Sequence, residues 1–71
     1  MEIKKTNEKE IIVAVKAKIQ HEINETVSTI NALMNEEFTE ENTNKIANFF
    51  IILSNLNQAI MLLNMIQEKN N

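Results

Sequence analysis

The sequence predicts an all-α protein, a two-helix antiparallel hairpin that dimerises into a four-helix bundle. Three observations predict this. The 71 residues contain no Gly and no Pro, so nothing interrupts a long helix. Apolar residues recur at steps of three and four in two separate segments. The second segment carries more apolar surface than one neighbouring helix can cover. The chain 1–71 is therefore expected to form a single helical-hairpin domain that associates with a second copy.

Helix 1 is expected at about residues 8–35. Asn7 and Glu10 have the spacing of an N-cap and its reciprocal partner, directly before Ile11. An apolar stripe follows at helical spacing, with polar residues on the opposite face, so one side of the helix should lie in water. The stripe consists of Ile11 or Ile12, Val15, Ile19, Ile23, Thr26 or Val27, Ile30 and Leu33 or Met34.

The turn between the helices is expected at about residues 36–39, where the apolar period lapses. Thr39 is the expected N-cap of the second helix, with Asn42 or Thr43 as alternatives. Phe38, the residue before this cap, is placed to form a hydrophobic staple with a first-turn apolar residue. Four glutamates surround the turn and form a candidate acidic surface for a partner: Glu36, Glu37, Glu40 and Glu41.

Helix 2 is expected at about residues 40–68. Its apolar residues alternate at steps of three and four, as in a coiled-coil heptad. Further large apolar residues lie outside this stripe, and each costs roughly 1.5 to 3 kcal/mol if it stays in water. Self-association is the simplest remedy. The stripe is the predicted oligomer interface: Ile46, Phe49, Leu53, Leu56, Ile60 and Leu63.

Composition argues against several classes of protein. Cys is absent, which excludes disulfides and thiolate chemistry. The formal charge of −3 and the absence of Arg argue against a nucleic-acid binder. His21 with Glu22 and Glu25 is the nearest approach to a catalytic or metal cluster. A zinc-protease helix would need His in place of Glu25, and a di-iron bundle would need Glu in place of Lys18. We expect no enzyme activity, no cofactor and no metal.

The predicted function is a small, cytoplasmic, homo-oligomeric interaction protein that regulates or inhibits a partner protein. Its size and composition also suit an accessory protein of a phage or plasmid. Two surfaces are candidates for the partner site, and the sequence does not choose between them. One is the acidic turn. The other is a Met- and Phe-rich face of helix 2, formed by Phe49, Phe50, Met61 and Met65.

Two alternatives belong to other classes. The first is a small RNA- or DNA-binding bundle that uses the basic N-terminal part of the chain. Interleaved glutamates weaken the positive electrostatic field of its lysines. The second is a small membrane protein of the phage-lysis type, because residues 46–66 are about long enough to span a bilayer, although several amides interrupt them. The lysines of the first alternative are Lys4, Lys5, Lys9, Lys16 and Lys18.

Overall fold

The protein is a helical hairpin. The computed structural model describes the backbone of residues 2–69 and the side chains of residues 8–69, and it contains two α-helices that pack against each other. Helix α1 spans Glu2–Met34 and helix α2 spans Glu40–Lys69. Parallel helices would need a connection as long as a helix. Because the connection consists only of residues 35–39, the helices run antiparallel. The all-α hairpin expected from the sequence is confirmed.

The start of α1 differs from the prediction. The helix begins at Glu2 rather than at about residue 8, so the backbone of Asn7 lies inside the helix and Asn7 is not its N-cap. The side chain of Asn7 lies outside the described residues. Glu2, Lys4 and Lys5 are good helix formers, and no Gly or Pro precedes Asn7. A helix therefore extends past a capping signal once propagation is favourable.

The two helices meet along one intramolecular seam. Apart from Ala59, which is also half-buried, the buried and half-buried residues follow one another at steps of four and three along each helix. This seven-residue repeat is typical of coiled coils, in which the side chains of one helix fit between those of the other. The seam consists of Ile12, Lys16, Ile19, Ile23, Thr26, Ile30 and Leu33 of α1, and of Asn42, Ile46, Phe49, Leu53, Leu56, Ile60, Leu63 and Gln67 of α2.

The seam is most enclosed along the second half of α1. Ile30 is only 4% exposed, and Ile23 and Thr26 are also buried. The Thr26 hydroxyl donates a hydrogen bond to the Glu22 carbonyl oxygen at 2.8 Å, so this polar group is satisfied within its own helix. No residue of α2 reaches the same burial. The hairpin therefore covers one stripe of α1 well and leaves every residue of α2 partly in solvent.

A hydrogen bond closes the open end of the hairpin. Lys16 Nζ donates to Gln67 Oε1 at 3.4 Å, which places the first half of α1 beside the end of α2. The lysine stem lies over the seam while its ammonium group reaches the polar edge. Both residues occupy seam positions, so a polar pair interrupts the apolar seam near this end, with Ile12 beyond it.

The hairpin is a rod with a large surface for its size. It measures 56 × 15 × 13 Å and has a radius of gyration of 16.6 Å, whereas a compact domain of this length has about 11 Å. Its accessible surface is 5853 Å², compared with about 4,500 Å² for a compact protein of this mass. A single two-helix layer therefore leaves an excess of exposed surface.

Thr39 begins α2, as the sequence predicted. The Thr39 Oγ1 accepts a hydrogen bond from the Asn42 backbone N–H at 3.1 Å, and the Thr39 carbonyl accepts the first helical bond from Thr43 N–H at 2.9 Å. The Asn42 side chain donates from Nδ2 to the Glu37 carbonyl at 2.9 Å and so ties the turn to the helix. Asn42 and Thr43, the alternative caps, instead lie inside the first turn.

The predicted staple at Phe38 is wrong. Phe38 is 95% exposed. With Thr39 as N-cap, the position that would receive the staple is occupied by Thr43, whose hydroxyl donates to the Thr39 carbonyl at 2.8 Å. A staple requires an apolar residue at that position. Phe38 therefore has no partner within its own helix turn and lies at the tip of the hairpin.

Replacing Thr39 by alanine removes the capping oxygen. We expect Thr39→Ala to lower the free energy of unfolding by about 1 kcal/mol, measured by urea denaturation followed by circular dichroism. Thr29→Ala is the control, because the Thr29 hydroxyl only donates to the Glu25 carbonyl of its own exposed helix face. That change should be neutral or slightly stabilising. Equal losses in both variants would contradict the capping role.

Candidate interaction surface

Large apolar side chains are exposed along α2. Seven of them have between 45% and 63% of their surface accessible. A single exposed apolar residue is ordinary, but seven on one helix indicate that part of this helix binds something. The seven are Phe50, Ile51, Ile52, Met61, Leu62, Met65 and Ile66. Helix α1 adds a smaller exposed set, namely Ile11, Val13, Val15, Val27 and Met34.

The predicted oligomer interface lies in the intramolecular seam. All six of its residues are half-buried where α2 packs on α1. The heptad pattern therefore identified the face of α2 that packs, but within the protomer this face already has a neighbour. A role of these residues between copies stays a prediction. The residues are Ile46, Phe49, Leu53, Leu56, Ile60 and Leu63.

The exposed residues beside the seam fall on two sides of the hairpin. Both helices are right-handed and run in opposite directions. The residues just before each seam position of either helix therefore lie on one side of the hairpin. The residues just after these positions lie on the other side. The first side includes charged residues of α1, whereas the second side has mainly amides between its apolar residues.

The first side carries aliphatic side chains of both helices near the chain termini, with charged residues of α1 beside them. The Lys16 to Gln67 hydrogen bond places the early turns of α1 at the level of the last turns of α2. Apolar residues of the two helices therefore adjoin each other there. We call this surface the open-end patch, and it consists of Ile11, Val15, Ala59, Leu62 and Ile66. The charged residues Lys18, Glu22 and Glu25 of α1 lie beside it on the same side.

The second side alternates apolar and amide side chains, and we call it the amide side. Phe50 and Met61 of α2 lie here, as do Val13 and Val27 of α1. Amide groups separate them, and such groups cost free energy when they are buried without a hydrogen-bond partner. The amides on this side are Gln20, Asn24, Asn31, Asn57 and Asn64.

The four glutamates predicted as an acidic surface are all exposed at the turn end of the hairpin. Glu40 and Glu41 lie in the first turn of α2, where the helix dipole favours negative charge. Glu41 also forms an exposed ion pair with Lys45, with Oε2 and Nζ 3.6 Å apart. Glu36 and Glu37 flank Phe38. The structure thus brings the acidic residues together around one exposed aromatic ring.

The His21 cluster lies on the outer face of α1. His21 Nε2 is 3.2 Å from Glu25 Oε2, and both side chains are about two-thirds exposed. The shallow depression beside them has walls from α1 alone, formed by His21, Asn24, Glu25, Ser28 and Thr29. Within residues 8–69, no three His, Asp or Glu side chains converge as a metal site would require. This face offers one open wall and no enclosed reaction site.

The lysines proposed for nucleic-acid binding do not share one surface in the described part of the chain. Lys16 lies in the seam and bonds to Gln67. Lys18 is exposed on the side of the open-end patch. The side chains of Lys4 and Lys5 lie outside the described residues. Lys9 is exposed as well, and Glu10 follows it directly in the chain.

Helix α2 also passes a simple test for a membrane span. An 18-residue window of α2 has a mean hydropathy of 1.6, and none of that window is buried. The test uses only the length and composition of the helix, and core helices of soluble proteins also pass it. A lipid environment is therefore a second possible neighbour for the apolar surface of α2.

The chain matches no protein-family model, no curated protein and no solved structure.

Leu56 tests whether the seam holds the hairpin together. We expect Leu56→Asp to lower the free energy of unfolding by more than about 2 kcal/mol, because it removes apolar contact and places a carboxylate against α1. Thermal unfolding followed by circular dichroism measures this change. Gln58→Glu adds the same charge two residues away on the exposed outer face and should change stability by less than about 0.5 kcal/mol. A Leu56→Asp variant with the unfolding midpoint of the unmodified protein would contradict the packing.

Proposed function

We propose that this protein is a non-enzymatic, self-associating helical hairpin of the cytoplasm that regulates or inhibits a partner protein by binding to its surface. The observation that carries the proposal is the uncovered apolar surface of α2, a helix in which no residue is buried. A surface of this kind is a binding surface in a stable protein.

The energetic argument favours association. Fully burying one Ile, Leu, Phe or Met side chain contributes roughly 1.5 to 3 kcal/mol, and each of the seven exposed residues of α2 is still about half accessible. Covering several of them would supply stability comparable to that of a small domain. A second hairpin offers the same kind of surface, and two hairpins give the four-helix bundle expected from the sequence.

Association of the helical surfaces leaves the turn end free for a partner. Phe38 is 95% exposed there and stands among glutamates. The capped start of α2 holds the neighbouring backbone in place. An exposed aromatic residue with a charged rim resembles the centre of many protein interfaces, where a few aromatic residues contribute most of the binding energy. A partner with a basic surface would complement this end.

The solution mass tests self-association. We expect light scattering on purified protein without detergent to give at least twice the chain mass of 8.2 kDa over a wide concentration range. The measurement should be repeated at high salt, because apolar association persists when surface charges are screened. A stable 8.2 kDa species at millimolar concentration would contradict the proposal.

A second candidate function is supported by the hydropathy of α2, which suits insertion into a membrane. In that case the protein would float with lipid vesicles and would need detergent to stay in solution. The amides along α2, among them Asn55 and Asn57, would need partners in the bilayer. Light scattering and flotation of one preparation, with and without vesicles, separate this candidate from a bundle that is soluble without lipid.

A further inference from the structure

We propose that two copies of the hairpin pair through α2, with the two α2 helices antiparallel and their outer faces in contact. The inference rests on the proposed self-association and names the face and the orientation of the contact. One stripe of α2 forms this contact. We call it the outer stripe, and it consists of Ala47, Ile51, Ser54, Gln58, Met61 and Met65.

The outer stripe faces away from α1. Its residues follow one another at steps of four and three, the spacing at which the side chains of one helix fit between those of another. None of them is a seam residue. Met61, Ile51 and Met65 are the most exposed large apolar side chains of α2, at 63, 60 and 58%. The stripe therefore has the spacing of a second packing face, and the hairpin itself does not cover it.

The charge distribution distinguishes α2 from α1. No residue of α2 from 46 to 67 is charged, so every face of this helix is uncharged over about six turns. Over the same length, α1 carries Lys18, Glu22 and Glu25 outside the seam. Met61 lies toward the amide side, away from these charges. Because the centres of interfaces are depleted in charged residues, α2 is the helix suited to contact a second copy.

The outer stripe is complementary to itself when two copies pair antiparallel. The midpoint of the stripe falls at residue 56, so Ile51 faces Met61 of the second copy, and Ala47 faces its Met65. At the centre, Ser54 faces Gln58, and a hydroxyl and an amide form hydrogen bonds with each other. Apolar groups therefore meet apolar groups, and the central polar groups gain partners when they lose water.

The charged ends of the hairpin select the antiparallel orientation. Parallel pairing also brings like residues together, but it places the two acidic turns side by side. The turn end carries four glutamates and one lysine, Lys45, and like charges placed together oppose association. Antiparallel pairing separates the two turns by the length of the pair. It also places each turn near the last turn of the other α2, which contains Lys69.

A matched pair of charge variants tests the face. Met61 and Ile11 are exposed to similar extents, 63% and 59%, but Ile11 lies on α1 away from the outer stripe. We expect Met61→Glu to raise the dimer dissociation constant, measured by sedimentation equilibrium, by more than about tenfold, because two carboxylates enter an apolar contact. Ile11→Glu should change this constant by less than about threefold. Circular dichroism verifies the helicity of both. Equal weakening, or the opposite order, would overturn the face.

Single cysteines test the orientation, because the chain contains no Cys of its own. Antiparallel pairing places the two Gln58 positions about 6 Å apart along the helix axis and the two Met65 positions roughly 27 Å apart. A short bismaleimide reagent should therefore link Gln58→Cys to itself at least about fivefold faster than it links Met65→Cys to itself. Ser28→Cys, on the exposed outer face of α1, measures linkage by random collision.

A mixture of the Ala47→Cys and Met65→Cys proteins gives the converse test. Antiparallel pairing brings these two positions together, so the mixture should form a linked heterodimer, identified by its mass, although neither variant links to itself. Self-linkage of Met65→Cys as fast as that of Gln58→Cys would show parallel pairing and overturn the orientation. Linkage no faster than that of Ser28→Cys at every position, in variants that sediment as dimers, would overturn the outer stripe and leave self-association standing. A monomeric unmodified protein would overturn both.

Discussion

Each helix of a pair can bury only one stripe of the other. The rest of the structure depends on this geometric limit. The intramolecular seam encloses Ile23, Thr26 and Ile30 of α1 but buries no residue of α2. Disulfides are not available to supplement so small a core, because the chain has no Cys. We therefore propose that the remaining apolar surface of α2 has a neighbour outside the protomer. The proposals of self-association and partner binding both follow from this limit.

The seam also explains why the hairpin has a defined arrangement. A strict alternation of four and three residues on both helices allows side chains to interlock along the length of the pair. Polar seam residues at the open end, Lys16 and Gln67, bond to each other. A shifted pairing would leave these groups against apolar neighbours and cost free energy. The turn adds a second fixed point, because Thr39 and Asn42 bond its backbone to α2.

Periodicity and local capping chemistry sufficed to predict both helices, the turn and the cap at Thr39. The staple at Phe38 was wrong for a reason that the sequence contains: with the cap at Thr39, the receiving position is Thr43, which is polar. The early start of α1 arose from helix propagation through good helix formers, which overrides a capping pattern at Asn7. The candidate interface was harder to predict from the sequence. Periodicity identifies a face of α2 that packs, but it does not tell whether this face packs on α1 or on another molecule. Only the packed structure shows that the stripe containing Leu56 packs on α1 of the same chain, whereas the sequence analysis assigned this stripe to the contact between copies.

The dependence of thermal stability on protein concentration tests most directly whether the hairpin needs a second copy. Association stabilises only the folded state, so the melting temperature of a dimer rises with concentration by mass action. We expect a rise of several degrees between micromolar and hundred-micromolar protein, measured by circular dichroism under reversible conditions. A melting temperature that stays constant across this range, with full helicity at the lowest concentration, would show that the single seam is sufficient and would contradict the central claim.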